Sequence, residues 1–137
     1  PIFEMLRKEA AEGLTNVLTW HKFRDATLRQ IHVASEVIGN LSNSNTIWAY
    51  GAAGRATMWL NVCKMDYLEC IVDESPLRAG KYMPGTHTPI VFPHALQYNN
   101  PDICFVTAWN YFEQIRQKEQ HWFDGVWALP VPSLTFI

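Results

Sequence analysis

Short, mostly apolar runs set the strongest limit on how this chain can fold. Residues 46–50 (TIWAY), 68–72 (LECIV), 90–92 (IVF), 102–107 (DICFVT) and 126–129 (VWAL) lack the alternation of strands with one wet face. A strand that is apolar on both sides must be covered on both sides, as in parallel sheets flanked by helices. Residues 134–137 (LTFI) read as a closing strand. The reading is therefore an α/β domain with a mainly parallel sheet covered on both faces.

Helical patterns fill the intervals. Between residues 14 and 38, Trp20, Phe23, Ile31, Ala34 and Ile38, with Leu28 beside them, recur at the spacing of one face of a long helix. Lys22, Arg24, Asp25, Arg29 and Glu36 take the other face, and Gly39-Asn40 reads as the stop. Residues 57–62 read as helix, and Pro93 opens a short one. Asn110 with Glu113 forms a capping-box pattern for a helix whose inner face is Phe112, Ile115 and Trp122. The chain divides into a helical segment at 1–44, packed on the domain, and an α/β domain at 45–137.

Composition narrows the function. With 48% hydrophobic and 18% charged residues the chain should fold, and a net charge of -2 gives no general attraction to nucleic acid or anionic lipid. No apolar run reaches the roughly 20 residues of a membrane span. Neither nucleic acid nor membrane is an expected partner. Cys63, Cys70 and Cys104 form no C-x-x-C pair and lie in apolar stretches, which fits buried thiols in a reducing, cytoplasmic setting. The five His show no metal-binding spacing, so no metal is expected. Pro1 opens directly into helical pattern, as in a piece of something longer.

One stretch carries chemistry. "IWAYGAAGRATMWL", residues 47–60, reads as a strand, a Gly51-Ala52-Ala53-Gly54 turn and a helix start with Arg55. Glycine admits close backbone approach, and a helix N-terminus offers unpaired N–H groups and a positive dipole. Arg55 would add charge-assisted hydrogen bonds to an anion. Equally, the turn is a tight strand-to-helix connection with Arg55 solvated, since the middle glycine of G-x-G-x-x-G is missing. Asp73 ends the next strand about 20 residues after Gly51, where dinucleotide folds place an acid on a ribose hydroxyl. It also fits as the cap of the "DESP" turn.

The segments "YGAAGRATMWLNVC", "VDESPLRAGKYMPGTHTPI", "PDICFVTAWN" and "VWALPVPSL" together resemble the C-terminal domain of S-adenosylmethionine-dependent sugar C-methyltransferases. The most specific block is D-x-x-P-x-x-x-G-K-Y-x-P-G-T-H-x-P-I, beginning at Asp73. The resemblance runs from about Thr46 to the end, more loosely before it. Two departures are Ala56 in place of a frequent Gly and "TAWN" in place of Leu-Pro before Trp109-Asn110.

The resemblance implies a Rossmann-like three-layer sandwich preceded by the long helix. It implies that S-adenosylmethionine is bound by another domain of the full-length protein, with no cofactor in this one. The domain would help hold a nucleotide-activated sugar through Gly51, Gly54, Arg55, Asp73, Lys81, His87, Trp109 and Asn110. Its partners would be that nucleotide sugar and an upstream methyltransferase domain of the same chain, with homodimerisation left open. Lys81 also fits as solvated loop, His87 as a loop brace, Trp109 as packing and Asn110 as a helix cap. No catalytic residue is assigned, and the isolated domain is expected to be inactive. A small NAD-binding oxidoreductase domain and a purely structural interdomain or dimerisation module are the alternatives.

Overall fold

The computed structural model describes residues 1–137. Two helices, α1 (Ile2–Ala11) and α2 (Val17–Leu41), precede the sheet-forming region. There follow β1 (Ile47–Tyr50), α3 (Gly54–Val62), β2 (Ile71–Val72) and β3 (Ile90–Val91). After a 3₁₀ turn come α4 (Leu96–Asn99) and β4 (Ile103–Val106). A second 3₁₀ turn, Trp109–Tyr111, leads into α5 (Phe112–Glu119), β5 (Val126–Leu129) and β6 (Thr135–Phe136). The strand order is β3-β2-β1-β4-β5-β6, parallel except for β6. This is a Rossmann-like α/β fold with the long helix ahead of it.

The two-sided burial expected of the apolar runs is explicit in the central strands. Every residue of β1 and β4 is buried. Because side chains alternate, Ile47 and Ala49 of β1 and Ile103 and Phe105 of β4 face one core, shared with α2 and α3. Trp48, Tyr50, Cys104 and Val106 face a second core closed by α4, α5 and Trp127. Phe112 and Phe123 pack edge-on against the Trp127 ring.

Several elements depart from the sequence reading. The 68–72 run supplies strand only over Ile71–Val72, since β2 pairs with β1 through those two residues. Helix α2 does not stop at Gly39-Asn40 but runs to Leu41, and Gly39 instead lies against the Tyr67 ring. Its apolar face is buried only at Ala34 and Ile38, while Trp20, Phe23 and Leu28 are exposed because the helix outruns the sheet it covers. Asn110 does not cap α5. The 3₁₀ turn, closed by Tyr111 N–H to the Ala108 carbonyl, moves the helix start to Phe112 with no side-chain cap. Trp122 is not on the inner face either: α5 ends at Glu119, the chain turns, and Phe123 fills the core.

Burial raises the thiol pKa at Cys63 to about 11, and that of Cys104 and Cys70 upward, with nearby acids adding to the last two. Thiolate is the reactive form. At pH 8 we expect Cys63 and Cys104 to resist a thiol reagent in the folded chain and to react on unfolding, with half-buried Cys70 first. Unfolded Cys63 would lose its proton near 9.0, while the folded thiol keeps it to about 11. The folded state therefore binds more protons across that window, and stability in urea should fall as pH rises through it.

Candidate functional site

In an open α/β sheet, ligands bind beyond the carboxyl ends of strands where the strand order reverses. Here the reversal lies between β1 and β4. A cleft of about 640 Å³ opens at that point. Its walls are the β1–α3 turn, the segment after β2 and one side of α5.

The β1–α3 turn has two halves with different duties. Gly51 has φ +98°, and a Cβ there would meet the Ala108 Cβ at 2.8 Å and Thr107 Oγ1 at 2.9 Å. Its N–H donates to the Val72 carbonyl at 2.7 Å, and its carbonyl accepts from the Thr107 hydroxyl. The Ala52 N–H donates to Asp73 Oδ2 at 2.7 Å. Thus the first half of the turn is fastened to β2 and β4. The N–H groups of Ala53, Gly54 and Arg55 have no intramolecular partner, and they form the open N-terminus of α3. Gly54 is different from Gly51: a Cβ there meets nothing within 4 Å, and its φ is ordinary.

Asp73 is almost fully buried, and both its oxygens are engaged. Besides Ala52, it accepts from the Ser75 N–H at 2.8 Å, and Arg78 Nε lies 3.1 Å from Oδ1. It therefore caps the "DESP" turn, one of the two roles open to it in the sequence, and braces the glycine turn with it.

Arg55 lines the cleft, with its guanidinium 4.9 Å from the centre of the Trp109 ring. A cation over an indole face is held by the ring quadrupole. Trp109 is in turn set edge-on to Trp59 of α3, at 6.2 Å between ring centres. Opposite, Lys118 of α5 forms a 2.6 Å ion pair with Glu74, both half exposed. Glu74 lies 3.3 Å from the Tyr50 hydroxyl, which is 2.7 Å from Oε1 of buried Glu119. Burial first, then Glu119 and Glu74, hold the Tyr50 hydroxyl well above the usual phenol range, so it stays protonated.

The remaining sequence candidates lie elsewhere. Trp109 and Asn110 line an adjoining hollow of about 290 Å³, which shares Gln114 with the main cleft. Lys81 and His87 are exposed and line neither; they belong to the loop between β2 and β3. His87 has φ 57° and closes that loop through its N–H to the Met83 carbonyl. The loop is seated on α3 by Asn61, which donates to the carbonyls of Thr57 and Pro84. No three His, Cys, Asp or Glu side chains converge on a metal position, and no helix is long and apolar enough to cross a membrane.

Sequence reasoning missed Tyr50, Glu74, Tyr111, Gln114 and Lys118, all in the cleft wall. A signal existed for three of them. Tyr111, Gln114 and Lys118 follow at steps of three and four, the spacing of one helix face.

The two glycines separate backbone need from ligand access. Gly51→Ala should cost more than about 1 kcal/mol, because it meets both a positive φ and a filled space. Gly54→Ala should leave stability unchanged or slightly raised. Urea unfolding of both variants checks this, and equal losses would contradict the geometry.

The C-methyltransferase C-terminal domain family matches residues 1–132 of this chain. Among curated proteins, the C-methyltransferase NovU of Streptomyces niveus is 29% identical, with 96% of this chain aligned to 33% of NovU. The chain thus spans about one third of that relative's length. A strand order that reverses beside an open helix N-terminus and a family match over nearly the whole chain agree: this chain belongs to the C-methyltransferase C-terminal domain family.

Proposed function

We propose that this domain holds a nucleotide-activated sugar for a C-methyltransferase and does not itself supply the methyl group. The observation that carries the reading is the row of unpaired N–H groups at Ala53, Gly54 and Arg55, opening beside a cleft with cationic side chains. Such a row is suited to a diphosphate, since the amides and the helix dipole both favour negative charge. Arg55 is pre-positioned by Trp109, which reduces the ordering cost of a bidentate contact. Lys118 faces the same space and would exchange Glu74 for a phosphate oxygen. The volume suits a small-molecule ligand. Tyr111 and Gln114 supply a ring face and an amide for the sugar or base.

Within this reading Gly51 and Asp73 shape the site rather than touch the ligand, and Trp109 acts through Arg55. Asn110 borders the adjoining hollow, where a sugar ring could extend. Lys81 and His87 would meet the ligand only at the outer side of the β2–β3 loop.

Methyl transfer in such a protein draws on S-adenosylmethionine. The only glycine turn at a strand end here is the one given to the diphosphate, and Asp73 has no free oxygen for an adenosine ribose. We therefore assign that cofactor to a part of the protein outside these residues. The same engagement of Asp73 counts against NAD.

Calorimetric titration of the chain with a thymidine diphosphate sugar, NAD and S-adenosylmethionine tests the proposal. Binding is expected for the sugar nucleotide alone. Arg55→Ala should weaken it about 10- to 150-fold, the equivalent of about 1.5–3 kcal/mol for a charged hydrogen bond. Lys118→Ala should weaken it less, and Glu74→Gln should tighten it by freeing Lys118 and removing a negative charge. Binding unaffected by Arg55→Ala, or preference for NAD, would overturn it.

A further inference from the structure

The N-terminal arm, α1 with the first half of α2, shows an apolar surface that the domain does not cover. Along α2, Trp20, Phe23, Thr27, Ile31, Ala34 and Ile38 follow at steps of three and four, so they share one face. At the sheet end of that face Ala34 and Ile38 are 0% exposed, and Ile31 packs against the core. At the other end Trp20 is 53% and Phe23 64% exposed. One continuous stripe is thus interior over half its length and bare over the rest.

The bare half is organised. The Trp20 indole N–H donates to the Leu14 carbonyl at 2.8 Å, and its ring meets Phe23 edge-on at 6.2 Å. Asn16 caps α2 by accepting from the Leu18 N–H at 2.9 Å. Helix α1 buries no residue and presents Phe3 and Leu6, more than half exposed. Large apolar side chains left bare along one helix face, Trp20 and Phe23 in contact, mark an interaction site.

We propose that this arm is the seat of the methyltransferase part that precedes the domain in C-methyltransferases. Two observations choose this occupant. The exposed stripe continues an interface already used inside the domain, so its cover should be another folded body of the same kind. Further, the family match includes the arm from residue 1 and is by its description C-terminal, and this chain aligns to only 33% of NovU. A C-terminal domain meets what precedes it at its own N-terminal end, which is where this arm lies. An anionic lipid surface is a poor alternative, because α1 carries Glu4 and Glu9 against Arg7 and Lys8, with Glu12 at its C-terminal end, and so has no excess of positive charge. The proposal rests on family membership and not on the cleft.

Hydroxyl-radical labelling read by mass spectrometry tests it, comparing this chain with the full polypeptide encoded by its gene, without ligand. In the chain alone Met5, Trp20 and Phe23 should label readily. In the full polypeptide most of that label should be lost, at concentrations where light scattering shows a monomer. Trp20→Glu with Phe23→Glu should restore labelling at Met5, with helix content intact by circular dichroism and sugar-nucleotide binding by the chain unchanged. Equal labelling in both, or a reading frame without a methyltransferase part, overturns the proposal. So does protection that grows with concentration in the chain alone, which means a second copy, or that needs phosphatidylglycerol vesicles. Failure of sugar-nucleotide binding with the arm protected would instead overturn the reading of the cleft.

Discussion

The Asp73 carboxylate holds the site's geometry together. Sitting at the end of β2, it takes the Ala52 N–H with one oxygen and the Ser75 N–H and Arg78 with the other. A buried carboxylate is tolerable only when its lone pairs are so occupied. The consequence is that the glycine turn and the segment after β2 form one rigid corner. With Gly51 locked to Val72 and Thr107, and Ala52 to Asp73, the amides of Ala53, Gly54 and Arg55 are released at the mouth of the cleft.

This arrangement also explains why the strands, the cleft and the cations come in that order. β1 and β4 are the central pair, buried on both faces, and the sheet reverses direction of growth between them. Space at their ends is left by topology, not by a missing side chain. The charged groups then enter from elements that diverge there: Arg55 from α3, Arg78 after β2, Lys118 from α5. Two of these cations already have acidic partners, Asp73 and Glu74, whereas Arg55 rests on an aromatic ring.

Much of the fold was legible because burial on both faces leaves no room for polar residues, and TIWAY and DICFVT say so directly. The glycine turn was legible too, since Gly51 needs a conformation other residues resist. What was hidden is what depends on contacts distant in sequence. Gly54 looks identical to Gly51 in a string of letters, yet nothing crowds it. Asp73 fits a ribose acid and the cap of the "DESP" turn equally in the sequence, and only the Ala52 N–H and Arg78 seen on it decide for a structural role. Asn110 and Glu113 match a capping box, but a 3₁₀ turn intervenes. On α2, a periodic apolar face says that something covers the helix without saying whether that cover lies within this domain. Lys118 and Glu74 meet across 44 positions and carry no local signal.

Where α2 leaves the sheet, Gln30 donates from one nitrogen to the carbonyls of Pro130, at 2.7 Å, and Pro132, at 2.6 Å. That fork pins the helix to the loop between β5 and β6 and acts as a fulcrum. Beyond it, the helix from Val17 to Gln30 is an uninterrupted rod about 20 Å long at 1.5 Å per residue. Each degree of rocking at the pivot would swing the tip by roughly a third of an ångström, by simple leverage on that rod. Small adjustments near the sheet edge are thereby magnified at the far end of the arm.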